Sequence, residues 1–429
     1  MEGYRHMIRK LIFANRSDSS LALFITLCAN ILVFALPVSA SYSSALGYTS
    51  LGLLVVSIIY LGMYRHDIAI SPEAKLFMAG SFVFPIAITL NLLVHQNWQW
   101  SWVDNPSRLI LALPVFLLMK HIRLNIMWLY LGILISACVF GATAIYQSHF
   151  LEVGRVTGWI TDLRSPITFG NAALLFSVLS LGALPLLKQQ FGVIWASLLV
   201  ILAAGLAGYA SLLSGTRGGW ISIFFLLMVL LSTGSKRPLL TNFFALIVAL
   251  LLSLVAYCTV DMVAVRVDSA WSELAKMLET GIFTRGSVGL RLQMWWAATL
   301  LFVDYPVWGV GLGNYYEAKQ VLIEQGLVTS AIGRFSYAHS EPFHFLAEMG
   351  LMGIVPLFGL YLSFFYLVLK RIKYNKNLAM MALLVLVLRF DISLTQVQFV
   401  YHYTTILYVM IFAVFAGLMC NPYYQRSGG

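Results

Sequence analysis

Residues 192–213 read GVIWASLLVILAAGLAGYASLL and contain no charged side chain. An α-helix needs about 20 mainly apolar residues to cross the hydrocarbon core of a bilayer, which is roughly 30 Å thick. This stretch therefore predicts a transmembrane helix. Similar apolar runs recur along the chain without the period-2 alternation that marks a transmembrane barrel. The sequence predicts an all-α integral membrane protein.

The apolar runs number about twelve when each is measured against the length that a span requires. They lie near 21–40, 45–63, 76–94, 108–119, 126–146, 168–187, 192–213, 219–234, 239–260, 344–369, 378–390 and 402–420. The first run follows several basic residues and could be taken for a signal peptide, but its length favours an uncleaved first helix. We expect one polytopic membrane domain over residues 1–429.

The overall composition supports the same class of protein. Of the 429 residues, 60% are hydrophobic and 10% are charged, and the mean hydropathy is +0.85. Soluble globular domains and disordered chains do not have this composition. The net charge of +10 therefore reflects membrane topology rather than nucleic-acid binding. The four cysteines lie in or at the end of apolar runs and form no metal or redox motif.

Lysine and arginine indicate the orientation, because they concentrate in cytoplasmic loops. With a cytoplasmic N-terminus, the inner connections carry Arg65, Lys75, Lys120, Arg123, Lys188, Lys236, Arg237, Lys370, Arg371, Lys373 and Lys376. The short outer loops carry almost none. We therefore expect both termini in the cytoplasm. We also expect the tryptophans at 98, 100 and 102, in an outer loop, to belong to the aromatic belt.

Three outer segments differ from the other loops and are expected to carry the function. They are the charged loop 147–167, the glycine-rich turn 214–219 and the long polar insertion 261–343. A loop as long as the insertion must build structure of its own or be disordered. Its pattern predicts helices over 272–278, 290–302 and 316–325, which together form a lid.

Arginines in the outer segments run against the topological bias and need a reason to be there. Arg155 and Arg164 precede the stretch PITFGN at 166–171, Arg217 lies between glycines, and Arg291 lies in the insertion. Each alone could anchor a lipid headgroup. Because arginine binds phosphate bidentately and stays charged when desolvated, several together suggest a diphosphate site. No acidic pair that would hold a divalent metal is present in the outer loops, so we expect no cofactor.

The end of the insertion supplies a candidate base. In the stretch YAHSEPFH at 337–344, Ser340 is a plausible N-cap, with Glu341 and Pro342 in the first turn of a helix. His339 then lies just outside this helix, under the lid, where it could act as a general base. A structural role is expected for His344, and Glu348 is equally open to a structural or a functional role. The run GVGLGN at 309–314 predicts a glycine turn rather than a nucleotide loop, since no strand precedes it.

At these residues the sequence resembles the bacterial O-antigen ligase family, part of a superfamily of polytopic membrane glycosyltransferases that includes the O-antigen polymerases. The resemblance rests on the number of spans, the late insertion, RVTG at 155–158, PITFGN at 166–171, TRGG at 216–219, Leu290-Arg291, the glycine run and His339-Ser340. The family more often has Asn after the histidine, where this chain has Ser340.

The resemblance implies a GT-C-like fold with 261–343 as a periplasmic loop in the bacterial inner membrane. It implies a metal-independent, inverting glycosyltransferase that moves polysaccharide from undecaprenyl diphosphate to the lipid A–core. By motif, Arg217, Arg291 and His339 correspond to the family's essential residues, and Arg155 and Arg164 are further candidates for binding the donor. The partners expected are these two substrates and membrane lipid, and not nucleic acid.

Two alternatives remain open. An O-antigen polymerase uses the same lipid donor, but it typically has a glycine eleven positions after an arginine in two outer loops, and no outer arginine here has that spacing. A secondary transporter would need binding groups near the membrane midplane, usually on broken helices within an internal repeat. In this chain the ionisable residues concentrate at one membrane face instead.

Overall fold

The architecture is described from a computed structural model. It describes residues 20–63, 70–158, 165–216, 218, isolated positions between 223 and 231, 238–259, 261–280 and 283–424. The helices are α1 Ser20–Ser39, α2 Ser43–Met63, α3 Pro72–Val94, α4 Trp100–Leu111, α5 Leu113–His121, α6 Met127–Ile145, α7 Pro166–Gly182, α8 Leu184–Leu213, α9 Pro238–Thr259, α10 Asp261–Thr280, α11 Ser287–Asp304, α12 Tyr315–Glu324, α13 Glu341–Met349, α14 Leu351–Arg371, α15 Lys376–Thr395 and α16 His402–Cys420.

Within the described residues, nine helices are long and apolar enough to cross a membrane, or ten if the bent pair 246–259 and 263–279 is counted as one span. The nine are α1, α2, α3, α4 together with α5, α6 with the π-helix Tyr146–Phe150 that follows it, α8, α14, α15 and α16. The apolar helix α7 is shorter, and most of the run expected near 219–234 lies outside the described residues. The chain is thus an all-helical, multi-pass membrane protein, and the number twelve stays a prediction.

Helix α16 is the centre of the bundle. Its residues from Tyr403 to Cys420 are all buried, and it contacts α2, α4, α5, α14 and α15. An all-apolar helix is stable in lipid as well as in protein, so the complete burial of α16 shows that the other helices pack around it. Gly417 allows the closest approach, since a Cβ there would lie 2.5 Å from the Phe116 carbonyl oxygen of α5.

The hydrogen bonds show that the segments connecting the helices lie at two opposite ends of the bundle. We call one of these ends the loop end. It contains residues 95–99, 146–158, 214–216, 305–340 and 396–401. There Asn105 donates to the Val400 carbonyl at 2.8 Å, and Tyr403 donates to the Ala40 carbonyl at 2.7 Å. At the opposite end, Asn421 donates to the carbonyls of Met119 and Ile122. Segments that are distant in sequence therefore share one face of the molecule.

The described part of the insertion 261–343 is helical and has a small core of its own. Helices α10, α11 and α12 confirm the helices expected over 272–278, 290–302 and 316–325, and α10 is longer than expected. The core is built from α11, α12 and the residues around them, including Met294, Leu301, Tyr315, Leu322, Ile332 and Ala347. The insertion is a folded unit, and the side of the membrane on which it lies stays a prediction.

The span expected over 344–369 is divided in the structure. The chain breaks at Gly350, whose φ of 59° is in the left-handed region that favours glycine. Residues 341–349 form the separate helix α13, and the span α14 begins at Leu351. The break leaves room for the Pro306–Val307 backbone, because Leu351 donates to the Pro306 carbonyl at 2.9 Å and a Cβ at Gly350 would lie 2.5 Å from the same oxygen.

Candidate active site at the loop end

His339 lies immediately before α13, in a backbone conformation that only a few non-glycine residues adopt. Its φ is 49°, and its partly buried ring packs edge-on against Phe335, with 5.3 Å between the centroids. Such a left-handed residue is held by its surroundings rather than by its own preference. Ser340 follows at the N-cap position with extended backbone, as expected, but its hydroxyl makes no capping hydrogen bond.

Arg291 reaches the same region from α11. The two helices meet where Trp295, one turn after Arg291, stacks on Phe343 of α13, with a centroid distance of 5.1 Å and an interplanar angle of 5°. The Arg291 side chain is partly buried, and this burial lowers its pKa, although an arginine remains charged in proteins. The structure thus brings together two of the residues that the sequence predicted for the site.

Lys319 of α12 is a third member of this group that sequence reasoning missed. Its side chain is completely buried, its ammonium donates to the Phe335 carbonyl, and it lies over the ring of Tyr316 at 5.0 Å from the centroid. Burial lowers its pKa to about 8. The available signal was two tyrosines three and four residues before a lysine, positions that lie on the same helix face.

The two cations act on His339. Burial lowers the pKa of its imidazole, and the charges of Arg291 and Lys319 lower it further. At neutral pH the ring is therefore uncharged and can accept a proton. One of the two charges belongs to Lys319, which was not among the site residues predicted from the sequence.

Arg155 lies against the turn that leads to Arg217. Its guanidinium Nε donates to the Ser214 carbonyl at 3.0 Å, and the neighbouring Gly215 has a φ of 64°. Thr216 donates its hydroxyl hydrogen to the Pro166 carbonyl at 2.9 Å, so the start of α7 meets the same turn. Three separate motifs of the sequence analysis converge here. Arg164 and Arg217 themselves lie outside the described residues.

The glycine run 309–314 forms a turn, as expected. Gly309, Gly311 and Gly313 all have positive φ values, of 67°, 94° and 85°. The turn is fastened to α13 by Gly311, which donates its N–H to the Glu348 carbonyl at 2.9 Å, and to α3 by Asn91, which donates to the Trp308 carbonyl at 2.7 Å. It joins the insertion to the bundle.

His344 and Glu348 lie beneath this turn and have structural surroundings. Both are fully buried, with His344 Nε2 at 3.3 Å from Glu348 Oε2, and Tyr315 donates its N–H to Glu348 Oε1 at 3.1 Å. Burial raises the pKa of Glu348 to about 8 and lowers that of His344 to about 3, so it favours the uncharged form of each group. Trp102 also packs on His344, with 6.0 Å between the centroids, so its expected place in the aromatic belt is wrong.

Buried charge also lies at the start of α13. Glu341 pairs with Arg389 of α15, with 3.0 Å between the closest atoms, and both side chains are buried. The sequence analysis expected Glu341 only as a helix-start residue and did not select Arg389. Among the described residues, no three His, Cys, Asp or Glu side chains are grouped so that they could hold a metal ion.

Comparison with known proteins finds a family match over the part of the chain that contains this site. Residues 198–358 match the family model described as Wzy_C, O-antigen ligase, and this range includes Arg217, Arg291, Lys319 and His339. The match confirms the resemblance to the O-antigen ligase and polymerase superfamily and indicates a glycosyltransferase-like enzyme. The chain is also 23% identical over 315 residues to an uncharacterized protein of Haemophilus influenzae, covering 72% of this chain and 76% of the relative.

Proposed function

We propose that the protein is an O-antigen ligase, which transfers polysaccharide from undecaprenyl diphosphate to a sugar hydroxyl of the lipid A–core at the periplasmic face of the bacterial inner membrane. The observation that carries the proposal is the grouping of His339 with Arg291 and Lys319 at the loop end. An uncharged imidazole can take up the proton of an acceptor hydroxyl, and fixed cations beside it can stabilise a leaving group that departs as an anion.

The proposed reaction is a direct displacement. His339 takes the proton of the acceptor hydroxyl, and the hydroxyl oxygen forms a bond to the anomeric carbon of the donor. The bond from that carbon to the diphosphate oxygen breaks, and its electron pair leaves with the diphosphate. Attack from the side opposite the leaving group inverts the configuration.

The arginines act on the donor substrate, the diphosphate-linked glycan. Arg217 and Arg291 neutralise the charge that develops on the diphosphate, and Arg155 and Arg164 are additional binding residues for it. Preorganised cations stabilise such charge without a metal ion, so we propose a metal-independent enzyme. The proposal includes about twelve spans, cytoplasmic termini and a periplasmic lid over 261–343.

The test is a reconstituted reaction of purified protein, carrier-linked glycan and lipid A–core in excess EDTA. We expect lipopolysaccharide to gain mass, and no product when the lipid A–core is omitted. Longer carrier-linked glycan formed without lipid A–core would instead identify a polymerase. Loss of transfer in EDTA that Mg²⁺ restores would contradict metal independence.

A further inference from the structure

Glu341, two residues after His339, is held by more partners than a helix start requires. Arg389 Nη2 donates a hydrogen bond to one carboxylate oxygen at 3.2 Å and lies 3.0 Å from the other, and the Tyr361 hydroxyl donates to the carboxylate at 3.0 Å. The carboxylate also accepts the backbone N–H groups of Gln398 and Phe399 at 2.8 and 2.9 Å. One side chain thus connects α13 to α14, to α15 and to the 396–401 turn.

We propose that Glu341 and Arg389 are a positioning pair that sets the place of His339 relative to the turn at 214–216. The inference rests on the proposed function, in which His339 is the base. Neither residue is expected to touch substrate, because the exposed fractions of the two side chains are 0% and 3%.

Stability alone explains this pair poorly. Removing two charges from water costs several kcal/mol for each ion, and apolar residues of the same volume are often as stable or more so. What the pair supplies is geometry, since a carboxylate with donors from three directions allows the first turn of α13 only one position. His339, which adopts a left-handed conformation, directly precedes this turn.

The contacts continue from Glu341 towards the turn at 214–216. Gln398 donates its side-chain amide to Gln396 at 2.8 Å, and Asn171 of α7 donates to the same Gln396 oxygen at 3.3 Å. The side chains of these three residues are buried. The first residue of α7, Pro166, accepts the hydroxyl hydrogen of Thr216, which directly precedes Arg217. Buried polar contacts up to Asn171, and then the first turns of α7, therefore connect the His339 segment with the turn at 214–216.

A matched control exists at the opposite end of the bundle. There Glu73 pairs with Arg371 at 2.6 Å, and the exposed fractions are 16% and 10%. This is also a carboxylate–arginine pair between two helices, but it has no connection to the loop end. A structural role alone predicts a loss of stability from breaking either pair, larger for the more buried one, whereas a positioning role predicts that only breaking the loop-end pair changes the reactivity of His339 in protein that is still folded.

The experiment compares Glu341→Gln, Arg389→Lys and the control Glu73→Gln in the full-length protein. Glutamine keeps an oxygen for the two backbone N–H groups, and lysine keeps the charge without the planar fork. The first readout is the rate at which diethyl pyrocarbonate modifies His339, measured by mass spectrometry with exposed His149 as the internal reference. We expect at least a threefold change in the loop-end variants and none in Glu73→Gln.

The second readout is transfer. Displacement of a catalytic group by about 1 Å can cost on the order of 10²-fold in rate, so we expect kcat to fall at least about tenfold in both loop-end variants. Donor KM should match that of Glu73→Gln, and kcat is expressed per folded protein because breaking the more buried pair lowers the thermal midpoint more. Unchanged His339 modification in both folded variants, or a loss of kcat that only follows the loss of folded protein, would overturn the proposal. Wild-type protein without transfer would instead refute the proposed function, and the modification readout would still decide the inference.

Discussion

The group of Arg291, Lys319 and His339 shows how a buried charge sets the chemistry of a neighbour. Lys319 holds the Phe335 carbonyl, and the Phe335 ring packs against His339. The lysine therefore acts on the imidazole in two ways, by fixing the segment before it and by its positive charge. The second effect opposes protonation of the ring, as does the charge of Arg291.

Replacement of Lys319 by methionine should move the pH dependence of transfer. The uncharged imidazole is the base, so kcat/KM falls as pH drops through the pKa of His339, which lies below the ordinary histidine value. Without the lysine charge the pKa of His339 rises. The acidic limb of the kcat/KM profile, where the rate falls as pH drops, should therefore move to higher pH. Lys319→Arg, which keeps the charge, should leave the limb in place. An identical limb in wild type and Lys319→Met would contradict the assignment.

Removal of the base should stop the chemistry without stopping donor binding. General-base assistance is worth about 10²–10⁴-fold, so His339→Ala should lose most transfer while binding carrier-linked glycan with unchanged Kd. The control is His149→Ala, an exposed histidine at the loop end. If His339→Ala fails only because it no longer binds the donor, His339 belongs on the donor side with the arginines.

The transfer rate should depend on the planar shape of the arginine side chains as well as on their charge. Loss of one electrostatic stabiliser typically lowers kcat by about 10²–10³-fold, and lysine lacks the bidentate fork. Arg217→Lys and Arg291→Lys should therefore remain well below wild-type rates at normal protein levels. Arg108→Lys is the control, because Arg108 pairs with Asp104 at the same end. Wild-type rates in both variants would move the search for the diphosphate site to Arg155 and Arg164.

At the scale of elements, helix α11 is held by a residue of the helix before it. Glu273 of α10 accepts the N–H groups of Val288 and Gly289 at 2.9 and 3.2 Å, in the first turn of α11. A carboxylate at this position satisfies free N–H groups and suits the positive end of the helix dipole. Arg291 lies within the next turn, so the contact also fixes the start of the helix that carries it.

Loss of this cap should weaken α11 locally. Glu273→Ala should lower the stability of the α11 start by about 1 kcal/mol, as is typical of removing an N-terminal cap. It should also raise the donor KM, because Arg291 is then held less firmly. Gly286→Ala should act in the same way, because a Cβ there would lie 2.1 Å from the Glu273 carboxyl carbon. Hydrogen exchange of residues 287–291 measures the effect, and Glu279→Ala, exposed on the same helix, is the control. Unchanged exchange in both variants would show that the cap does not hold α11.

At the scale of the whole molecule, the distribution of Lys and Arg predicts the orientation. Segments 305–340 and 396–401 gather at one end of the bundle, and the basic cluster at 370–376 begins in the last turn of α14, at the opposite end. This arrangement agrees with a periplasmic loop end and a cytoplasmic basic end.

Reporter fusions should give that sidedness. Alkaline phosphatase is active only outside the cytoplasm, so a fusion within 326–330 should be active and one at Lys373 inactive. A cytoplasmic reporter at the same positions should give the opposite pattern. Active phosphatase at Lys373 would reverse the orientation and with it the periplasmic site.

The helices and their membrane character could be predicted from sequence because they depend on local properties. An apolar run of sufficient length forms a helix in lipid whatever its neighbours are, since its backbone must satisfy its own hydrogen bonds. The glycine turn at 309–314 and the helices of the insertion are local in the same sense. Arg291 was selected because arginines in outer segments run against the topological bias, and His339 because it directly precedes a predicted helix start under the lid.

The sequence by itself thus determined the class of protein, the helical insertion and two members of the described site. Only the tertiary structure decided the burial of Lys319, the pairing of Glu341 with Arg389 and the burial of His344 against Glu348. Lys319 lies on a helix whose sequence is typical of a solvated surface. The physical reason is that the pKa and the partners of a charged group depend on the residues packed around it, and packing brings together residues that are distant along the chain.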